Sequence, residues 1–442
     1  MKTLLIKNGI VITLGENNRV LYNHSVLCAG DKISAVGPDS QFAGKYDKVI
    51  DARGRVVLPG FINAHMHFYS TLARGLGKAA PAKDFNGVLE NLWWRLDKKL
   101  TLDDCYYSAV APLIDSIRKG TTTLIDHHAS PYAARGSLDA IAKAVGETGL
   151  RACLCYEVSD RDGEKIAADG IAENVEFIKR CKKEKDPRLS AMFGLHAAFT
   201  LSDKTLAAAS AAGRGLETGF HIHCAEAASD EEFSKENHNM RVVERLEKFG
   251  LLGPGSIAAH CVHVDEREMD ILAATGTPVA HNPQSNLNNA VGIADVVAMA
   301  KRGVVVGLGT DAMTVDMPEE LRVALWAQHL KHDDASCGFL ETLSTLLFNN
   351  AKIAARHFGL PLGELRAGCA ADIVVLDYRA PTPLDAGTFL GHLCYGMAPA
   401  PVDCTIAGGR VLLEEGELKL ELDLEGIYRR SREAAAALWE RF

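Results

Sequence analysis

Short apolar runs recur along the whole chain, but the segments between them change character twice. Near the N-terminus, TLLIKNGIVITL, NHSVLCAGDKISAVG and YDKVIDARGRVVLPG are strand-like runs separated by Gly, Asn and Asp. The same texture returns in ADIVVLDYRAP and VDCTIAGGRVLLEEGEL, where Gly408-Gly409 predicts a hairpin turn. Strand-rich segments at both ends predict one small β-sandwich assembled from residues 1–58 and 366–420. Between them the pattern differs. TTTLIDHH, RACLCYEVS, LSAMFGLHAAF, GFHIHCAE, SIAAHCVHV, TPVAHNPQ and VVVGLGTDA alternate with amphipathic stretches such as SLDAIAKAVGETG and HNMRVVERLEKFG. Repeated β–α alternation predicts an α/β fold with a parallel sheet, and this many repeats suits a (β/α)8 TIM-like barrel over residues 59–365. An amphipathic helix over residues 421–442 closes the chain.

Composition narrows the field. The 442 residues are 47% hydrophobic and 24% charged, close to a globular average, so a large core is expected. The net charge is −9 with no basic block, which argues against nucleic acid and favours a small-molecule ligand. The 11 cysteines are mostly single and lie in apolar runs, as reduced core thiols of a cytoplasmic protein do. The opening MKTLLIKNGIVITLG imitates a signal peptide, but Lys7, Asn8 and Gly9 interrupt it too early. No apolar run reaches the ~20 residues of a membrane span, so no membrane partner is expected.

The polar ends of the apolar runs carry the chemistry. In a barrel of this kind the C-terminal ends of the strands build the active site. Here those ends read NAHMH, GLHA, HIHCAE, AAHCVH and GLGTDA. His65 and His67, two residues apart on an extended chain, point the same way and suit one metal ion. In HIHCAE, His223 is favoured as a ligand and Glu226 as an acid–base group, with His221 as a supporting hydrogen-bond partner. His260 and Asp311 end two later runs, and a buried carboxylate such as Asp311 calls for a cation or a donor.

PGFINAHMH, HIHCAE, AAHC, AHNPQSN and GTDA, in this order, closely resemble the amidohydrolase superfamily. Within it the chain is similar to the cytosine deaminase, guanine deaminase and triazine hydrolase branch, and most to SsnA-type aminohydrolases. The resemblance spans nearly the whole chain, since GCAADIVVLD matches a closing motif. It implies His65, His67, His223 and Asp311 as ligands of one divalent metal, zinc first and ferrous iron second. It implies that Asp311 takes the proton of an activated water, that His260 orients the developing oxyanion, and that Glu226 protonates a ring nitrogen. Two-metal relatives carry a bridging lysine where AMFGLHAAF has His196, so one metal is expected and His196 is assigned to the substrate. The alternative for His196 is a histidine satisfied inside the mouth.

Other residues carry weaker signals. Trp93, in an insertion after His67 with Trp94, Tyr69 and Arg74, would stack on a flat heterocycle or simply pack on the rim. Glu157, at another strand end, and His281, in AHNPQSN, are further substrate-binding candidates, and His281 also fits hydrogen-bonding support. His127 and His128 fit either a pocket or a structural role. The function expected is hydrolysis of a non-peptide carbon–nitrogen bond, by deamination of a purine-, pyrimidine-, pterin- or triazine-like heterocycle. Ring-opening of a cyclic amide or amidine and a non-catalytic binding barrel are the alternatives. The resemblance also implies a homodimer.

Overall fold

The computed structural model describes residues 1–15 and 17–442. Both termini enter one nine-stranded mixed sheet. The strand Ile373–Leu376 runs antiparallel to Val56–Pro59, with Ile373 opposite Pro59 and Leu376 opposite Val56. Beyond it, Val402–Ala407 and Arg410–Glu414 form the expected hairpin. Gly408 and Gly409 both have positive φ, 53° and 72°, as a tight two-residue turn with the twist of its strands requires. A β-carbon on Gly409 would sit 2.0 Å from the carbonyl oxygen of Gly30, so the turn also packs where only glycine fits.

The apolar run VVLPGFINA serves two sheets. Val56–Pro59 belongs to the terminal sheet and Phe61–Met66 opens the first of two parallel sheets. The switch falls at Gly60, where a β-carbon would lie 2.3 Å from Thr122. The first parallel sheet joins Phe61–Met66, Thr121–His128, Arg151–Tyr156 and Leu189–Ala191, and the second joins Phe193–Ala197, Phe220–Cys224, Ile257–His260, Val279–His281 and Val306–Leu308. Every residue of Phe61–Met66 and Thr121–His128 is buried, because helices cover one side and packed side chains the other.

Two asparagines on covering helices hold the seams between the parallel sheets. Asn350 donates to the carbonyls of Ile62 (2.6 Å) and Leu308 (2.8 Å) and accepts from Leu308 N (2.7 Å). Asn174 donates to Tyr156 O (2.8 Å) and accepts from Tyr156 N (2.9 Å) and Gly194 N (3.2 Å). Parallel bridges Met66–Asp311 and Val158–Leu195 lie at the same two seams.

The covering helices follow their sequence pattern. Ser137–Thr148 buries Leu138, Ile141, Ala142 and Val145 on one face and ends at Gly149, φ 81°. The segment HNMRVVERLEKFG differs from its expected single helix. His238 ends one helix, Asn239 turns left-handed at φ 52°, and a second helix begins at Val242. LSAMFGLHAAF likewise divides at Met192, its halves pairing in different sheets. The last helix, Leu424–Arg441, packs on Leu102–Arg118. No described helix is long and apolar enough to cross a membrane.

Candidate metal centre

The C-terminal ends of the parallel strands converge on one cleft enclosing about 670 Å³, part of it open to solvent. At its floor, His67 Nε2 lies 2.9 Å from Asp311 Oδ1 and 3.1 Å from His223 Nε2, and His65 Nε2 lies 3.4 Å from Asp311 Oδ1. All four side chains are buried. Three of them have their far ends fixed. The His67 Nδ1–H donates to the His127 carbonyl at 2.5 Å, which turns Nε2 toward Asp311 and His223. His65 Nδ1 sits 2.8 Å from His221 Nε2, so His221 stands behind His65. The Ser285 hydroxyl donates to Asp311 Oδ2.

Backbone geometry aims these groups. Thr310 N and Asp311 N donate to the His65 carbonyl at 2.9 and 3.0 Å, which ties the last parallel strand to the first. Gly309 permits this approach: a β-carbon there would meet His65 O at 2.6 Å and His65 Cβ at 2.8 Å. Asp311, His260, Cys261 and Ala225 all adopt positive φ (52°, 74°, 51° and 46°), a strained conformation for non-glycine residues, and all lie where strands end at the cleft.

Charge is arranged as the donor set requires. Burial opposes a charge on His67, but Asp311 and Glu157 outweigh it and raise its pKa well above the ordinary value. Burial alone would keep Asp311 neutral, yet the imidazoles of His65 and His67 beside it hold it well below the usual carboxylate range. His223 is pushed well below its ordinary value, by burial first and by the neighbouring histidines second. The negative field that draws a proton to His67 also favours a divalent cation. His65 Nε2 is a buried nitrogen with no hydrogen-bond partner among the described residues. His65, His223, His260 and Asp311 offer ligand atoms within 4.8 Å of one another, as do His65, His67, His127 and His223, and imidazole nitrogens and a carboxylate oxygen so placed fit a metal ion.

Two further groups face the floor. Asn286 donates to His260 Nδ1 at 2.8 Å, so the His260 proton resides on Nε2, 3.5 Å from Glu226 Oε2. Burial, then the charge of Asp311, raises Glu226 well above the ordinary carboxyl value. A protonated carboxyl and a neutral imidazole thus sit side by side.

The remaining sequence-derived candidates divide. His196, Glu157 and Trp93 line the cleft. His281 does not; it is wholly buried, and its ring nitrogens have no hydrogen-bond partners among the described residues. His127 stacks on His221 at 4.4 Å between ring centroids, whereas His128 turns away toward Ser130 Oγ, 2.9 Å from its Nε2. Trp93 packs edge-on against Tyr69, and Trp94, also in the wall, carries Arg161 over its ring at 5.0 Å. Arg74 instead faces Asp115 at 3.7 Å, outside the cleft. Sequence reasoning missed Ser285 and Asn286. Both lie in AHNPQSN, and only the turn of the helix Pro283–Asn288 directs one to Asp311 and the other to His260.

Residues 56–412 match the Amidohydrolase family. A 5-methylthioadenosine/S-adenosylhomocysteine deaminase of Desulforudis audaxviator is 34% identical over 451 aligned positions, covering 99% of this chain and 99% of its own. A 5'-deoxyadenosine deaminase of Methanobrevibacter smithii is 32% identical over 445 positions, covering 99% and 98%. Among solved structures, an adenosine deaminase from Xanthomonas campestris with bound zinc has a similar fold, with a TM-score of 0.87 at 24% identity over 98% of both chains.

Proposed function

This chain belongs to the amidohydrolase family, and from that premise we propose that it replaces the 6-amino group of a 5'-substituted adenosine with oxygen. It is a hydrolase of carbon–nitrogen bonds. The substrate reading draws on the full-length likeness to the two deaminases and on the aromatic wall of Tyr69, Trp93 and Trp94, which suits a flat ring. The observation that carries the chemistry is the meeting of His65, His67, His223 and Asp311 beside His260 and Glu226.

His65, His67, His223 and Asp311, linked pairwise at 2.9–3.4 Å, would hold one divalent ion, zinc by preference. When bound, such an ion lowers the proton affinity of water enough to supply a nucleophile near neutral pH. Asp311 Oδ1 accepts the proton of that water while Ser285 fixes the other carboxylate oxygen. The Nε2–H of His260 donates to the oxygen that adds to the ring carbon. Glu226, kept protonated by burial, gives its proton to the adjacent ring nitrogen. The carbon–nitrogen bond then breaks as Asp311 returns its proton to the departing nitrogen, which leaves as ammonia, and the proton of the added hydroxyl restores Glu226 as the carbonyl forms.

We further read the two parallel sheets as one closed (β/α)8 barrel spanning residues 59–365, a reading supported by the clamps of Asn174 and Asn350 at its seams. The terminal sheet, from residues 1–58 and 366–420, is read as a β-sandwich. In support, its outer strand Lys32–Pro38 curls back so that Ile33 N donates to Cys369 O at 2.9 Å. Ammonia release from 5'-deoxyadenosine, 5'-methylthioadenosine and S-adenosylhomocysteine by zinc-loaded protein tests the function. Deamination exchanges an amino group for oxygen; a product heavier by one water would instead establish ring opening.

A further inference from the structure

The short helix Pro283–Asn288 carries both groups that aim the catalytic pair: Ser285 donates to Asp311 Oδ2, and Asn286 donates to His260 Nδ1 at 2.8 Å. Pro283 has no N–H, so Gln284 N is the first amide that this helix leaves unpaired. Asn282, at the cap position, does not take it; its side-chain amide turns toward His260 Nδ1 and Ala280 O, at 3.4 and 3.3 Å. Gln284 N instead donates to Glu320 Oε1 at 2.9 Å, across to the helix Met317–His332. Glu320 is fully buried and lies outside the cleft wall. Burial, aided by the charge of Asp311, outweighs the Gln284 hydrogen bond and raises Glu320 well above the ordinary carboxyl value. A buried carboxyl is a costly cap where a side chain at the cap position could serve. What it adds is a fixed link to the neighbouring helix, one residue before Ser285 and two before Asn286.

We propose that Glu320 is a positioning residue, which sets the helix Pro283–Asn288 at the depth that brings Ser285 onto Asp311 and Asn286 onto His260. This rests on the deaminase reading. Glu320 meets neither substrate nor reacting atoms; it acts through Gln284 N. Without the acceptor that amide is unpaired in the interior, and the helix start must shift to find a partner. Ser285 and Asn286 shift with it, because they follow Gln284 directly in the chain. Asp311 then loses the donor that fixes Oδ2, and His260 loses the partner that keeps its proton on Nε2. Both losses fall on the chemical step, not on the binding of the ring.

The test measures kcat and KM for 5'-deoxyadenosine, per bound zinc, in wild type, Glu320→Gln, Glu320→Leu and Glu320→Ala. The leucine and alanine changes are repeated in a Ser285→Ala/Asn286→Ala background. Glutamine keeps a neutral carbonyl acceptor and should hold kcat within about threefold of wild type. Leucine and alanine remove the acceptor and should lower kcat roughly 10- to 100-fold, with KM changed by less than about threefold. In the Ser285→Ala/Asn286→Ala background the same changes should cost less than about threefold more, because the groups they misplace are already gone. A cap with only a structural role would lower kcat equally in both backgrounds, and that result overturns the proposal. So do wild-type kcat in the leucine and alanine variants, a glutamine variant as impaired as leucine, a loss carried by KM, and failure of both leucine and alanine variants to load zinc. Failure of wild type to release ammonia from 5'-deoxyadenosine instead overturns the deaminase reading itself, and this inference with it.

Discussion

Two buried carboxyl groups in one cleft are driven in opposite directions, and that separation defines the chemistry. The neighbouring imidazoles of His65 and His67 hold Asp311 ionised against its burial, and the charge of Asp311 adds to burial in keeping Glu226 protonated. One is therefore a base and the other an acid at the same pH. Glu226→Gln is expected to lower kcat by roughly 10²- to 10⁴-fold while leaving bound zinc unchanged. Because the pKa of Glu226 is raised, wild-type kcat/KM should hold through neutrality and fall on the alkaline side as the group ionises. The Gln variant should lack that limb, and a pH–rate profile checks it. The histidines proposed as ligands were legible because each closes an apolar run, and strand ends meet in a parallel α/β fold. Ser285 and Asn286 were not, since serine and asparagine after a proline are ordinary helix-start residues until a carboxylate and an imidazole are placed over them.

At the scale of elements, the site depends on how closely the last parallel strand approaches the first. Gly309 allows the contact, and the His65 carbonyl accepts two backbone N–H groups there. Gly309→Ala should therefore cost about 1–3 kcal/mol of stability, read as a shift in urea midpoint. It should also weaken zinc binding in a competitive chelator titration, because the displaced atoms belong to a ligand residue. A neutral result in both would show that the strand end gives way freely. Alternation of strand and helix was legible from apolar spacing alone. The division of LSAMFGLHAAF at Met192 was not, because both halves are equally apolar and only pairing partners distinguish them. The asparagine clamps at the seams were equally silent: Asn174 and Asn350 lie among ordinary helix residues, and their partners are far away in sequence.

Across the whole molecule, burial holds several imidazoles neutral. Burial brings His128, His260 and His281 down to about 3. In the unfolded chain these groups take protons below about pH 6.5. Folded pKa values below unfolded ones mean that the unfolded state binds more protons as pH falls, so stability is lost progressively from about pH 6.5 toward pH 3. Each such histidine contributes about 1.4 kcal/mol per pH unit in that window, and urea midpoints measured between pH 7 and 5 should fall accordingly. Bound metal acts through the same floor. Zinc at a hundredfold excess over its dissociation constant should add about 2.7 kcal/mol, visible as a drop in Tm on chelation and its recovery on readdition.

The most direct measurement combines metal and product. Protein freed of metal and reloaded should carry one zinc per chain and release one ammonia for each 5'-deoxyadenosine consumed, with activity rising in proportion to zinc. Full zinc occupancy without ammonia from any of the three adenosine derivatives would contradict the proposed deamination, and ammonia release independent of metal would contradict the centre built from His65, His67, His223 and Asp311.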